Sequence, residues 1–277
     1  EKKLVSQKNV VMWHEISWLV LSSTPVVTMT LFYNLKQISV YAVYNMVIGN
    51  VVVLMAIFNS AFTASFGEMI AKKQYSLFSD IFHQFEFIYF SLASLIFLCT
   101  FQLIQPFIDI YTRGITDITY NNKFLVLMMV VLSLTNSLRV PSSIVIGITG
   151  SYKETIHSTI LAATLCIILS FFMAYIRIEL ILFGSIMGYI IRTIGFAIQA
   201  RKVSIGYYLQ KSIRSIGLSA IMFFVAYFIT IRFVNNDVTG YKDFLINAVV
   251  VFLMNATIYL FLMLLLDHSK MIMVFER

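Results

Sequence analysis

Two arginines stand where a charge is costly. Arg139 and Arg192 each interrupt a stretch otherwise apolar enough to cross a bilayer, and a charged group near the centre of such a stretch costs about 2.5–3.5 kcal/mol on the insertion scale. A guanidinium kept in that setting suits an anion. Its planar fork offers a phosphate two parallel hydrogen bonds, and it does not lose its charge. The competing use is snorkelling, in which the side chain reaches back to the headgroups or to a helix-end carbonyl. His14 and Glu15 open the first apolar stretch, and Glu68 closes the second on the same side. Such a histidine–carboxylate group could serve ion or proton coupling, since imidazole titrates near neutrality. All three lie near the interface, where charge is tolerated, so anchoring is their plainer use. Asp80, His83 and Glu86, three residues apart, share one helical face and read as interfacial too.

Other chemistry finds little footing. The sequence contains no GxSxG, HExxH, Walker A, Cys–His or Rossmann pattern, so neither a catalytic residue nor a metal or cofactor site is expected. Cys99 and Cys166 both fall within apolar stretches and read as small core residues. Thr24, Thr28, Asn45, Asn50, Asn59, Thr135, Asn136, Asn247 and Asn255 are polar residues inside apolar stretches. They could line an aqueous path or bond one helix to another.

The elements that must position these residues are membrane spans. The chain is 60% hydrophobic and only 12% charged, with a mean hydropathy of +0.87. Soluble domains carry about 25% charged residues, so half that share leaves too little for a solvated surface. Eight apolar stretches are expected to cross the bilayer, at about 11–33, 38–66, 83–108, 123–147, 155–176, 179–200, 212–234 and 243–266, a span needing about 20 residues. They are expected to be helices, because lipid cannot satisfy open backbone groups and no alternating barrel pattern occurs. The fold class is therefore all-α, a polytopic membrane protein of about eight transmembrane helices. Pro25 and Pro141 are expected to interrupt their helices. Gly184 and Gly188 form a GxxxG face expected to pack against another helix.

With eight spans both ends share a side. That side holds Lys2, Lys3, Lys8, Lys72, Lys73, Lys153, Arg201, Lys202, Lys211, Arg214, Lys270 and Arg277, against Lys36, Arg113, Lys123, Arg177, Arg232 and Lys242 on the other. The bias predicts that both ends are cytoplasmic. It also reads the net charge of +7 as topology and contact with anionic membrane lipids. The basic residues form no compact patch among stacking aromatics, so no nucleic-acid partner is expected. On this orientation both intramembrane arginines lie roughly 12–16 Å from the cytoplasmic ends of their helices. The polar interval from Arg201 to Arg214 divides the chain into a six-helix unit, 1–202, and a terminal pair, 203–277. The polar, basic opening from Glu1 to Asn9 looks like an interhelical loop, so the sequence is expected to begin inside a larger protein.

Four strings carry a family resemblance. SSTPVVTMTLFYNLKQISVYAVYNMV (22–47) resembles the seventh and eighth helices of polysaccharide flippases of the multidrug/oligosaccharidyl-lipid/polysaccharide superfamily. PFIDIYTRGITDITY (106–120) resembles their following external loop, RVPSSIVIGITGSYKET (139–155) their tenth helix and its turn, and GSIMGYIIRTI (184–194) their twelfth helix with its arginine. The resemblance implies a C-terminal lobe plus terminal helix pair, with the N-terminal lobe absent from this sequence. It further implies Wzx-type transport in the bacterial cytoplasmic membrane: undecaprenyl-pyrophosphate-linked O-antigen or capsule repeat units would pass between leaflets and on to polysaccharide polymerase machinery. Arg139 and Arg192 would meet the pyrophosphate, and Tyr41, Tyr44 and Asn45 the sugars. Pro25 stands where members often carry an acidic residue, so ion coupling through that position is not expected. A peptidoglycan-precursor flippase or a cation-coupled small-molecule antiporter of the same architecture is the alternative.

The orientation is testable by labelling. Cysteines placed singly at Lys73 and Lys202 should be shielded from an impermeant thiol reagent in intact cells, and a cysteine at Arg113 should react. The reverse pattern would overturn the assignment.

Overall fold

A computed structural model describes the backbone over residues 2–203, 207–234 and 238–266, and side chains from residue 9 onward within those ranges. Lys270 and Arg277 of the basic set lie outside the described residues. Nine α-helices occur among the described residues: α1 (Lys2–Phe32), α2 (Leu35–Ala71), α3 (Tyr75–Tyr111), α4 (Lys123–Leu138), α5 (Val140–Thr149), α6 (Ile156–Ala174), α7 (Leu182–Lys202), α8 (Leu209–Thr230) and α9 (Tyr241–Leu266), with no strand among them. Eight spans result, because α4 and α5 form one bent crossing, Lys123–Thr149. Each is long and apolar enough to cross a membrane, and each overlaps the stretch expected from hydropathy. The chain is an all-α, multi-pass membrane protein. Its outside agrees, with Leu54, Phe172 and Phe228 more than half exposed on helices that have lipid to face.

The basic loops gather at one end of the bundle, referred to below as the basic end. α2 and α3, at 37 residues each, would run about 55 Å at 1.5 Å per residue. That exceeds the roughly 30 Å hydrocarbon core, so both helices continue beyond it. Between α1 and α2 the chain reverses in two residues. Asn34 Oδ1 accepts the Gln37 N–H at 2.9 Å and Gln37 Oε1 accepts the Asn34 N–H at 3.4 Å, a capping box that satisfies orphan donors at the helix start. From this turn the two helices enter different groups: α1 lies on α6 and α7, and α2 lies on α3, α4 and α5. α7 joins the groups, touching α1, α4, α5 and α6.

Glycines let α7 approach α6. A Cβ added to Gly184 would come within 2.2 Å of Ser170 Oγ and 2.6 Å of the Cys166 carbonyl, and one at Gly195 within 2.2 Å of Ser158 Oγ. Gly188 faces the Ala162 carbonyl, 3.1 Å from where its Cβ would be. The expected packing face is therefore real, and it includes a third glycine. Small residues have this effect in lipid, where close backbone approach replaces hydrophobic driving force.

The prolines divide. Pro141 ends α4 at Arg139 and starts α5, as expected. Pro25 does not interrupt α1, which continues through it. Proline removes the N–H that would bond the carbonyl four residues earlier, that of Leu21. Ser185 of α7 supplies the substitute, its hydroxyl donating to Leu21 O at 2.8 Å, one of the ways a membrane helix tolerates proline.

α8 and α9 are bonded to α3, the most buried span among the described residues. Ser94 Oγ donates to the Ser219 carbonyl at 3.1 Å and lies 2.6 Å from the Tyr259 hydroxyl. Gln102, Thr230 and Asn255 close a buried triangle: Gln102 Nε2 donates to Thr230 Oγ1 at 2.8 Å and Asn255 Nδ2 to Gln102 Oε1 at 2.8 Å. The interfacial reading of His83 and Glu86 is corrected. They are 4% and 1% exposed, His83 Nδ1 lies 2.8 Å from Glu86 Oε2, and Ser212 of α8 donates to the carboxylate at 2.7 Å. Their shared helical face is covered by α8, and only Asp80 stays exposed. Tyr207, ahead of α8, adjoins this cluster; burial and the Glu86 charge push its hydroxyl up to about 12.

Gly184→Ala should lower the thermal midpoint of the protein in detergent by several degrees. Gly217→Ala is the control. A Cβ there meets nothing within 4 Å, and exchanging a mid-helix glycine for alanine gains about 1 kcal/mol in helix propensity, so its midpoint should hold or rise.

Candidate functional site

Arg139 and Arg192 occupy corresponding depths. Each lies ten residues before the basic end of its crossing, at Thr149 and Lys202 respectively, or about 15 Å along the axis. Arg139 stands at the break between α4 and α5 and is half-buried. Its Nη2 lies 3.4 Å from Asn136 Oδ1, and its buried Nε has no partner among the described residues. Arg192 is more enclosed, at 5% exposure. One Nη2 donor reaches the His14 carbonyl at 3.3 Å, and the guanidinium carbon sits 5.3 Å from the Phe196 ring centroid. Its Nε and Nη1 are both buried without a partner among the described residues.

The two charges are close enough to act on each other, and Tyr189 lies within electrostatic range of both. The acid that acts on both is Glu15, exposed on α1 and in no ion pair with either arginine. Buried charges are ordinarily paired. Here two cations share one region with three guanidinium nitrogens unspent. That arrangement is suited to a multiply charged anion with several oxygens.

The other candidates are dispersed. His14 is 2% exposed. Its Nε2 lies 3.0 Å from the Tyr152 carbonyl, which requires an N–H there, and Nδ1 lies 3.2 Å from Thr159 Oγ1. Both ring nitrogens are thus engaged in fixing α1 to α6 and to the turn that precedes it. Glu68 pairs with Lys72 at 2.6 Å on an exposed turn, so the structure does not bring His14, Glu15 and Glu68 together as one relay. Tyr41, Tyr44 and Asn45 lie towards the opposite end from the arginines. Tyr41 is 5% exposed, with its hydroxyl 3.5 Å from Asn45 Oδ1 on the exposed side of α2. Tyr44 is fully buried, its hydroxyl 2.7 Å from both Gln105 Oε1 and the Tyr120 carbonyl and accepting the Asn122 N–H at 3.2 Å. It ties α2 to α3 and the α3–α4 loop, and it leaves no ring face open to a sugar.

Two residues were missed as partners of the arginines. Tyr189 and Tyr89 are both buried and within range of Arg139. Tyr189 sits three residues before Arg192, the one sequence signal that could have paired them; Tyr89 comes from another helix and gives none. Among the described residues no group of three or more metal-ligating side chains assembles.

Comparison with family models, with curated proteins and with solved structures gives no match.

An unpaired buried donor destabilises the fold that holds it, so these arginines are expected to cost stability when no ligand is present. Arg192→Met should leave the thermal midpoint unchanged or raised, read by tryptophan fluorescence. His14→Ala, which frees a carbonyl and a hydroxyl, should lower it. An equal drop in both would make Arg192 a structural strut.

Proposed function

We propose that this chain is the C-terminal lobe and terminal helix pair of a flippase that moves undecaprenyl-pyrophosphate-linked polysaccharide repeat units across the bacterial cytoplasmic membrane. The observation that carries the reading is the Arg139–Arg192 pair: two cations at one depth, in one region, with Nε of Arg139 and Nε and Nη1 of Arg192 unpartnered. A pyrophosphate is the anion such a pair fits, because it offers closely spaced charged oxygens to planar forks. The four-string resemblance supports the same cargo, and the basic end supports loading from the cytoplasm.

Transport in this reading needs a second six-helix lobe. Alternating access usually rocks one repeat against another around a site near the midplane. The lipid tail stays in the bilayer while the phosphate and sugars cross between the lobes. With Tyr41 and Tyr44 both buried, the sugar contacts in this lobe fall to Asn45, and the rest to the second lobe.

In the full-length protein, Arg139→Ala and Arg192→Ala should each reduce surface polysaccharide at unchanged membrane abundance. Arg→Lys at either position should rescue partially at most, since it keeps charge and loses the fork. Lipid-linked repeat units should accumulate in the inner leaflet, with sensitivity to cationic dyes unchanged. Normal polymer from the double alanine variant would refute the site, and dye hypersensitivity with normal polymer would favour an antiporter.

A further inference from the structure

α3, α4 and α8 do not close on one another along their length. Two openings follow one another between them and share Phe101. The first, about 310 Å³, is almost wholly apolar and is walled by residues such as Phe90, Leu127, Leu134, Ala220 and Phe224. The second, about 300 Å³, lies where α3 ends and α4 begins, away from the basic end, and is walled by Gln105, Asp109, Asn121 and Lys123. One crevice results, greasy within the bilayer and polar at its mouth. From Lys123 to Leu138 it follows all 16 residues of α4, end to end about 22 Å at 1.5 Å per residue. Half the hydrocarbon core is about 15 Å, so a lipid chain entering at the polar mouth would run past the midplane.

The mouth specifies the headgroup. Asp109 and Lys123 come from different helices, are both exposed, and form no ion pair among the described residues. Gln105 Nε2 donates to Asp109 Oδ1 at 2.8 Å, which steadies the carboxylate and leaves its second oxygen open. A ligand complementary to both must carry a phosphate for Lys123 and a hydrogen-bonding cation for Asp109. A phosphoglycerol headgroup has no cation, and a phosphocholine has no N–H to donate. We propose that the α3–α4–α8 crevice binds a phospholipid with a phosphoethanolamine headgroup, its phosphate at Lys123, its ammonium at Asp109, and one acyl chain between α4 and α8. This site is separate from the arginine pair and holds whatever the cargo is.

The test is native mass spectrometry of the purified full chain, offered equal amounts of phosphatidylethanolamine, phosphatidylglycerol and phosphatidylcholine with identical acyl chains. Phosphatidylethanolamine should be retained about fivefold over each of the others, the scale of one weak charge pair. Asp109→Asn and Lys123→Gln, both at exposed positions, should each abolish most of that preference. Ala220→Trp, which fills the apolar part, should lower retention of all three lipids. Equal retention of the three, or a preference untouched by both headgroup variants, would mean annular lipid only and would overturn the proposal. Displacement of phosphatidylethanolamine by a lipid-linked saccharide would overturn it too, assigning the crevice to cargo.

Discussion

Within lipid, a leucine gains nothing by leaving one apolar surface for another, so helices associate through close backbone approach and through hydrogen bonds that lipid cannot offer. This constraint governs the bundle. The seam between α6 and α7 depends on glycines at 184, 188 and 195, where added methyl groups would strike the facing backbone or serine hydroxyls. α7 in turn touches α1, α4 and α5, so the placement of Arg192 opposite α1, and its distance from Arg139, rest on that seam. The α3–α8–α9 contact is built the other way, from buried serines, Gln102, Thr230 and Asn255.

The same solvent decides what happens at prolines. A carbonyl freed inside the bilayer has no water to turn to. Leu21 O, released by Pro25, is taken by the Ser185 hydroxyl, and α1 stays continuous while gaining a bond to α7. Pro141 has a different outcome. There the helix breaks at Arg139, between α4 and α5. One proline thus became a weld between helices, and the other a break within a single crossing.

Buried charge is handled in two contrasting ways. Glu86 is satisfied by His83 and Ser212, which makes it part of the joint between α3 and α8. The arginines are left with donors to spare. Satisfaction makes the first part of a joint, whereas the second keeps buried donors without partners among the described residues, the feature on which the proposed anion site rests. Sequence position does not separate the two cases, since each is a charge in an apolar helix.

What the sequence determined by itself is what depends on composition along the chain. Eight apolar runs separated by short basic or polar loops leave helices as the only spanning solution, and a charge in an apolar run, as at Arg139 and Arg192, is visible by its cost. The GxxxG of Gly184 and Gly188 is local and was legible for the same reason. Only the tertiary structure decided which faces meet. Whether His83 and Glu86 look to the interface or to α8, whether Tyr44 offers a ring or spends its hydroxyl on Gln105 and Tyr120, and whether Pro25 breaks a helix or finds Ser185 depend on neighbours 61 to 160 positions away in sequence. A one-dimensional pattern records what each residue would tolerate; only packing supplies the partner that settles its use.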